Sequence, residues 1–366
     1  MKKYAFQEIT FMQYIFLIHG TQVGIGFLSL PGRLAEESGT DGWMSILIGW
    51  IFSIIASLII IQLMKKHPDK NVVDLLQRYF GKWLGSLGTI LLTLYLAFMA
   101  FAIIHRTALY VNSWVLHQTP SYILLILFTI PSYLIIHGGV RNIARYAELV
   151  FLMSIWMYLV YLIPLKDSHW INLLPLFKEG LQPLLLSIKT TVFSFLGFEI
   201  TLFLYPYLKK KQLASIGIII ANTLSMLVYL YITIICFAFF SPDEITKFFE
   251  PTLYILRIIE FKFVERVDII VMSFYIIVIS KVWIPYMLFT VMSTSQILNN
   301  QDYKKLLFLL LVLFVLVTGI INPSFNANTS LMKILEKFGF IIAFVFPICF
   351  WFYMSVSDRI FRRENI

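Results

Sequence analysis

The sequence predicts an all-α integral membrane protein with ten transmembrane helices, arranged as two inverted repeats of five helices. Three observations predict this class: an apolar composition, a series of membrane-length apolar runs, and two matched interruptions by glycine within those runs. Of the 366 residues, 59% are hydrophobic and 13% are charged, whereas soluble domains are about half apolar and about a quarter charged. We therefore expect the chain to lie in a membrane.

Ten apolar runs, of about 17 to 32 residues, are long enough to cross a bilayer as helices. The first run follows Met1-Lys2-Lys3. It is too long for a signal-peptide core and lacks a small-x-small cleavage site, so we expect it to remain in the mature protein. The runs lie at about 9–31, 43–64, 84–113, 121–137, 146–164, 183–207, 214–240, 267–298, 305–321 and 335–355.

Basic residues are divided unequally between the two sides of this arrangement. The side that holds both termini carries 17 Lys and Arg residues, and the opposite side carries nine. The positive-inside rule then predicts that both termini are cytoplasmic. Because the basic residues form short clusters between apolar runs, the excess of 29 Lys and Arg over 20 Asp and Glu indicates topology and not nucleic-acid binding.

The lengths of the runs repeat after the fifth run. The third and eighth are the longest, and the fourth and ninth are the shortest. A division here gives a first repeat at 1–165 and a second at 183–356 within a single transmembrane domain. Because five is odd, the second repeat enters the membrane in the opposite orientation. Amphipathic helices on the membrane surface are expected in the corresponding connections, 69–82 and 242–266.

Segments that contain glycine interrupt the first and sixth runs near their middle, at 20–31 (GTQVGIGFLSLP) and at 193–199 (FSFLGFE). A helix in lipid can be broken only where protein, water or a ligand replaces the lost backbone hydrogen bonds. Glycine pairs also allow close helix packing. Two breaks in corresponding halves are, however, typical of the binding site of a transporter, and this favours a ligand site.

Together these features resemble the amino acid, polyamine and organocation (APC) superfamily with the LeuT fold, over nearly the whole chain. The resemblance is carried by the ten spans, by Val-Gly-Ile-Gly followed by Leu-Ser-Leu-Pro, and by Phe-Ser-Phe-Leu-Gly-Phe-Glu. Within this superfamily, ten spans instead of twelve, the short tails and an intramembrane Lys281 in the eighth span, preceded by Arg266-Val267-Asp268, are most similar to the B subunits of bacterial spore germinant receptors (GerAB-like).

The resemblance implies that the two breaks form the ligand pocket and that residues of the third span wall it. The direction of the half-helices supports this, because two of them aim the N–H groups of their N-termini at the midplane, where a substrate carboxylate would bind. Exposed carbonyls at the other two half-helix ends would take an ammonium. The residues implied are Thr21, Gln22, Val23, Gly24, Ile25, Gly26, Tyr95, Phe98, Met99, Phe193, Ser194, Phe195, Leu196, Gly197 and Phe198.

Two charged residues within the spans have candidate roles in coupling. Glu199 follows the second break, either as an acid at a helix start or in direct ligand or proton handling. Lys281 is too deep to snorkel comfortably, so we expect it to find a partner. That partner is either the carbonyl groups freed at the first break, where the lysine would replace a coupling sodium ion, or Glu199. Arg106 and Lys189 are expected to snorkel, and His19 and His105 to be packing residues.

The resemblance implies a subunit that binds a small amino-acid-like nutrient and signals germination to partner A and C subunits in the inner membrane of a spore. The alternative is a proton-coupled, sodium-independent amino acid transporter, because both functions need the same pocket. The sequence has no Gly-x-Ser-x-Gly or His-Glu-x-x-His motif, so no enzyme is expected. Cys236 and Cys349 lack the neighbours of a metal site, and no metal or cofactor is expected.

Overall fold

The computed structural model describes residues 7–178, 180–262, 266–299 and 302–363 of an all-α membrane protein. Among these residues, seven helical segments are long and apolar enough to cross a membrane. The number becomes eight if the bent pair Leu181–Ser194 and Phe198–Tyr207 is one span. The described residues contain one isolated β-bridge, which pairs Ile9 with Leu208.

Six helices form the first half of the chain. Thr10 caps the first of them with a capping box that includes Gln13, which is a strong N-terminal signal. Residues 23–25, inside the first glycine segment, separate the first two helices. The helices are α1 Phe11–Gln22, α2 Gly26–Ser38, α3 Gly42–Lys65, α4 Val72–Trp114, α5 Ser121–His137 and α6 Gly139–Val160.

The second half begins with a helix that ends inside the second glycine segment. Short 3-10 turns, Phe198–Ile200 and Tyr205–Tyr207, flank the next helix. A π-helical turn, Ile341–Val345, lies between the last two helices. The helices are α7 Leu181–Ser194, α8 Thr201–Leu204, α9 Ala214–Phe239, α10 Pro242–Ile245, α11 Pro251–Leu256, α12 Val267–Ile297, α13 Tyr303–Ile321, α14 Phe325–Phe340 and α15 Phe346–Arg363.

The connections expected to be amphipathic differ from each other. The first one is the start of α4, which turns sharply at Gly81, where φ is +74°. Its apolar residues Val72 and Leu75 are buried under the bundle. Within 242–262 the second connection holds two short helices, α10 and α11; residues 263–265 of the expected segment lie outside the described residues.

The core of the bundle forms around α1 and α12. Helix α12 packs against α1, α4, α6 and α13, while α3 packs against α7 and α9. Small residues let α1 approach α12 closely: a Cβ atom at Gly20 would lie 3.1 Å from the Lys281 side chain, and one at Gly24 would lie 2.6 Å from that of Val282. Two glycines of the first segment therefore do serve close helix packing.

Candidate functional site

Tyrosines of neighbouring helices hydrogen bond to the carbonyl groups freed between α1 and α2. Tyr275 on α12 donates its hydroxyl to the Gly24 carbonyl at 2.7 Å, and the hydroxyl of Tyr229 on α9 lies 2.8 Å from the Gln22 carbonyl. The same Tyr229 hydroxyl is 2.9 Å from the carbonyl of Ser194 at the end of α7. Both tyrosines are buried and provide partners that lipid cannot offer. Tyr229 thus joins the two glycine segments. We call their non-helical residues, 23–25 and 195–197, the first and second interruptions.

Gln22, the last residue of α1, is the centre of a buried polar network. Its side-chain nitrogen donates to the Phe195 carbonyl at 2.9 Å and to Asn222 Oδ1 at 2.8 Å. Its side-chain oxygen accepts the Ser225 hydroxyl at 2.7 Å, and His19 Nδ1 lies 3.0 Å from the same hydroxyl. With both amide protons used, Gln22 ties the end of α1 to α9 and to the second interruption.

Gly197 occupies a position in the second interruption that only glycine fits without strain. Its φ is +130°, a conformation that other residues rarely adopt. A Cβ atom at this position would lie 2.8 Å from the Thr21 carbonyl and 2.9 Å from the Gln22 amide nitrogen. These are backbone atoms that cannot rotate away, so glycine lets the second interruption pack directly on the end of α1.

A cavity of about 90 Å³ lies between the two interruptions, enough for a few water molecules or a small ligand. The start of α2 and the end of α7 bound it. A helix start has N–H groups without intrahelical partners, and a helix end has carbonyl groups without them. Nine of the predicted residues line the cavity: Thr21, Gln22, Gly24, Ile25, Gly26, Met99, Phe193, Ser194 and Leu196.

Four predicted residues of the interruptions lie behind this lining. The side chains of Val23, Phe195 and Phe198 are almost fully buried within the bundle, and the Phe195 ring packs edge-on against Tyr229. Gly197 contacts α1 instead of the cavity. These four residues support the shape of the site from outside the cavity.

Of the three predicted wall residues on α4, Met99 lines the cavity. Phe98 is 49% exposed on the outer surface of the bundle, so the prediction that it walls the pocket is wrong. Consecutive residues of a helix point about 100° apart, and Met99 takes the inward direction. Tyr95 is buried and donates its hydroxyl to Glu199 Oε1 at 2.9 Å, which places it outside the lining.

Eight residues of the lining are not predicted from the sequence. Tyr229 and Tyr286 carry a usable signal, because a tyrosine in the middle of a span needs a hydrogen-bond partner when it is buried. Ile103 and Val282 carry none, because an apolar residue in a span has the same character whether it faces lipid or a cavity. The eight are Ser29, Arg33, Ile103, Tyr229, Val282, Tyr286, Met332 and Glu336.

An ion pair closes one end of the cavity. Arg33 on α2 and Glu336 on α14 approach with Nη1 and Oε1 at 3.0 Å and with Nη2 and Oε2 at 3.5 Å. Their side chains are 31% and 17% exposed, so they stand between the cavity and the surroundings. Paired contacts of this kind are the strong form of an arginine–carboxylate interaction. We call the end of the cavity that Arg33 and Glu336 close the far end; it lies opposite the N-terminus of α1.

Glu199 accepts three hydrogen bonds and does not line the cavity. The donors are the Gly197 N–H at 2.6 Å, the Tyr95 hydroxyl at 2.9 Å and the Tyr286 hydroxyl at 2.5 Å. Since Tyr95 lies on α4 and Tyr286 on α12, the carboxylate joins both helices to the turn after the second interruption. This geometry favours the interpretation of an acid at a helix start. Of the three groups that donate to Glu199, that of Tyr286 belongs to a residue of the cavity lining.

Lys281 is 2% exposed and packs its aliphatic stem against α1 at Gly20. Within the described part of the chain, its ammonium group has no ion pair or hydrogen bond. The two expected partnerships, with Glu199 and with the carbonyl groups of the first break, are therefore absent from this arrangement. A buried cation without an acid partner is costly in a membrane.

The remaining polar residues of the spans divide into buried and exposed ones. Arg106 is only 3% exposed, so the expectation that it snorkels is wrong. Lys189 is exposed, with its Nζ 5.8 Å from the centre of the Phe193 ring, as snorkelling predicts. His19 and His105 are fully buried, which agrees with packing positions.

Comparison with known proteins places this architecture in a family. A family model described as "Spore germination protein" matches residues 8–326. The spore germination protein GerQB of Bacillus cereus is 25% identical over 349 residues, 95% of this chain and 96% of the relative. The spore germination protein A2 of Bacillus subtilis (strain 168) is 26% identical over 364 residues, with 96% and 97% covered.

Two solved structures share the fold. The structure of MhsT in complex with L-phenylalanine superimposes with a TM-score of 0.67 at 14% identity, covering 96% of this chain and 89% of that chain. Mhp1, a nucleobase-cation-symport-1 family transporter in a closed conformation with bromovinylhydantoin bound, gives a TM-score of 0.62 at 13% identity, covering 93% and 79%. At these identities the likeness shows the fold alone, which is the fold implied by the sequence resemblance.

Proposed function

Because this chain belongs to the spore germination protein family, we propose that it is the B subunit of a spore germinant receptor and binds a small amino-acid-like nutrient. The observation that carries the proposal is the cavity between the two glycine interruptions. The fold supports it, because paired interruptions near the midplane are where transporters of this architecture hold their substrates. We propose no enzymatic activity.

The architecture behind this proposal has ten spans in two inverted repeats, 1–165 and 183–356. In this count α1 with α2 form a broken first span, α7 with the 198–207 segment form a broken sixth span, and α14 with α15 form the tenth. The helix limits support the count, since non-helical residues fall at 23–25 and 195–197. An even number of spans leaves both termini on one side of the membrane. We propose that this side is the cytoplasm, as the positive-inside rule predicts, and that the membrane is the inner membrane of a spore.

The cavity suits a compact zwitterion with an aliphatic side chain. The start of α2 offers N–H groups and a positive dipole end to a carboxylate. The end of α7 offers carbonyl groups to an ammonium, because a carbonyl oxygen such as that of Ser194 can accept a second hydrogen bond. Met99, Ile103 and Val282 leave an apolar wall for the side chain.

The ligand signal is proposed to pass to partner A and C subunits through movement of membrane helices. The ion pair of Arg33 and Glu336 joins α2 to α14 across the far end. A ligand that favours the closed arrangement would shift the population of that pair, because a ligand shifts an equilibrium by its difference in affinity for the two states. The helices and their connections then carry the change to the partners.

A second candidate function is a proton-coupled, sodium-independent amino acid transporter. The observation that favours it is the amine of Lys281, which is buried beside α1 and has no partner among the described residues. In this role the Lys281 amine would take up and release a proton, and no sodium ion would be needed. Uptake of a labelled amino acid by proteoliposomes that contain this protein alone would establish transport, whereas binding without uptake would support the receptor.

Cavity filling tests the proposed site. Leu in place of Gly26 projects into the lining, where even a Cβ atom lies 3.1 Å from the Tyr229 hydroxyl. Gly319→Leu on α13 is the matched control, because the nearest atom to its Cβ position is 3.8 Å away. We expect Gly26→Leu to abolish the germination response at normal membrane abundance and the control to retain it. A normal response in Gly26→Leu would refute the site.

A further inference from the structure

A cluster of buried polar side chains beyond the cavity surrounds Arg106 on α4. Its Nε donates to Asn328 Oδ1 at 2.7 Å, and its Nη2 donates to Thr329 Oγ1 at 2.6 Å. The guanidinium carbon lies 3.9 Å from the centre of the Phe325 ring, a distance typical of a cation–π contact. All three partners belong to the start of α14, so Arg106 fixes this end of the helix to α4.

The start of α14 determines the position of two residues that line the cavity, Met332 and Glu336. Asn328 holds α14 to α4 a second time by donating its Nδ2 to the Ala102 carbonyl at 3.0 Å. Met332 and Glu336 follow Thr329 at spacings of three and seven residues, so all three lie on one face of the helix. A displacement of the start of α14 is therefore carried along a rigid helix to the acid that closes the far end.

Arg106 also contacts the connection between α9 and α12. The Phe249 ring lies 5.9 Å from its guanidinium carbon. The neighbouring carboxyl group of Glu250 is buried and within the electrostatic reach of the arginine. Two residues further on, Thr252 donates its hydroxyl to the Phe27 carbonyl of α2 at 3.0 Å. The same arginine is thus linked to both helices that carry the closing ion pair.

The connection lies directly on α2 beside Arg33. At Gly32, a Cβ atom would lie 2.9 Å from the Phe248 carbonyl and 3.3 Å from the Pro251 side chain. The close approach leaves no room for α2 to move outward while the connection stays in place. An outward movement of α2, and of Arg33 with it, therefore requires the connection to move as well.

The cluster is incompletely satisfied. Among the described residues, Arg106 Nη1, the Tyr110 hydroxyl and Glu250 Oε1 are buried without a hydrogen-bond partner. Burial raises the pKa of Glu250 to about 7, although the positive charge of Arg106 opposes the rise. Unpaired buried polar atoms cost free energy, so the closed arrangement is less favourable than one in which these atoms are fully hydrogen-bonded.

We propose that Arg106 is a positioning residue of the site, which binds α14 and the α9–α12 connection at the same time and thereby keeps the far end of the cavity closed. Without Arg106, the start of α14 and the connection lose their common attachment to α4. Glu336 and Arg33 then separate more often. The inference rests on the proposed function only where it treats the cavity as a ligand site; the closure itself does not depend on a ligand.

A cysteine reporter measures the closure directly. Ser29 lines the cavity and is 6% exposed, so Ser29→Cys is a small change at an enclosed position. Cys349, which is exposed, is replaced by serine, and the buried Cys236 is retained. The full chain in lipid nanodiscs, which leave both faces open to solvent, is treated with a polar methanethiosulfonate reagent without ligand, and the rate of modification is followed by mass spectrometry.

We call the attachment of Arg106 to α14 and to the α9–α12 connection the joint. Two variants perturb the joint and one serves as a control. Thr329→Val removes one acceptor of Arg106 at nearly constant volume, and Arg106→Lys keeps the charge but loses the forked geometry. Lys333→Gln is matched, because it removes an exposed cation from the same helix. We expect Ser29→Cys to react at least fivefold faster with either joint variant and at an unchanged rate with Lys333→Gln.

The outcomes separate this inference from the proposed function. The parent is the protein with Ser29→Cys and Cys349→Ser alone. The positioning role would be overturned if Thr329→Val and Arg106→Lys were both modified at the parent rate while eluting normally in size-exclusion chromatography. Equal acceleration by Lys333→Gln would overturn it as well, because the effect would then be general. If an excess of L-valine fails to protect Ser29→Cys in the parent while the joint variants still accelerate its reaction, the closure stands and the proposed ligand site fails.

Discussion

Substitution of Gly197 by alanine tests the contact between the two interruptions most severely. The added methyl group would lie 2.8 Å from the Thr21 carbonyl carbon and oxygen and 2.9 Å from the Gln22 nitrogen. Ordinary contact between carbon atoms is about 3.5–4.0 Å, so the two backbones must separate by about 0.7 Å. The separation acts where Gln22 also donates to the Phe195 carbonyl.

The magnitude has two parts. A positive φ at a residue other than glycine costs about 1–3 kcal/mol, and overpacking in a close-packed core costs about 1–3 kcal/mol more. Gly39→Ala separates the parts, because Gly39 has a φ of +59° with no atom within 4 Å of its Cβ position. The control should show only the first cost. The second cost displaces Thr21 and Gln22, which line the cavity, and at about 1.4 kcal/mol for a factor of ten it corresponds to a loss of ligand affinity of about 5-fold to 140-fold in Gly197→Ala.

Purified variants in detergent provide the assay. Thermal unfolding gives the stability of each variant, and titration with L-valine gives its affinity. We expect Gly39→Ala to lose some stability and keep its affinity, and Gly197→Ala to lose both. Wild-type affinity in Gly197→Ala would refute the view that the contact between the interruptions shapes the binding site.

Three further predictions concern charged residues. Ligand binding should be unaffected when choline replaces sodium, because the amine of Lys281, buried against α1 at Gly20, can take up the coupling proton; a sodium requirement would exclude the sodium-independent transporter. Arg33→Gln should speed ligand dissociation about tenfold or more, measured by washout of labelled ligand, because it removes the paired contact with Glu336; unchanged dissociation would exclude this pair as the closure. Charge reversal at Arg257, which lies 4.4 Å from the Trp114 ring centre, should uncouple binding from germination, and a normal response would exclude the α9–α12 connection as the signal route.

Helix limits set by local chemistry are predictable from this sequence. The fourth apolar run, 121–137, has the limits of α5, because Pro120 and Gly138 mark its ends. Helix α4 begins twelve residues before the predicted run, because the amphipathic segment continues into the span at the Gly81 turn. Glycine at a turn permits this geometry but does not specify it, so hydropathy alone places the boundary wrongly.

The glycine segments lead to the region of the site but not to its wall. Gly26 and Ser194 line the cavity as predicted, because helix ends leave polar backbone there. The position of Phe98 on the outer surface and of Ile103 at the cavity depends on how α4 is rotated. The rotation is set by packing with other helices, and hydrophobicity carries no signal for it when both the lipid and the cavity wall are apolar.

Arg106 shows the same limit for charged residues. Its place near the end of a span fits snorkelling equally well, and its burial follows from Asn328, more than two hundred positions later in the chain. Contacts over such a separation have no local signature in one sequence. The structure therefore supplies the joint that composition and periodicity leave out.

Photo-crosslinking tests the central claim, that the cavity between the two interruptions holds the ligand. Photo-leucine, an aliphatic amino acid with a diazirine, is irradiated with the purified protein, and the labelled residue is identified by mass spectrometry with excess L-leucine as competitor. We predict competed labels on residues of the lining, foremost Met99, Phe193 and Val282. Competed labelling confined to residues outside the lining, such as the exposed Phe98, would contradict the account.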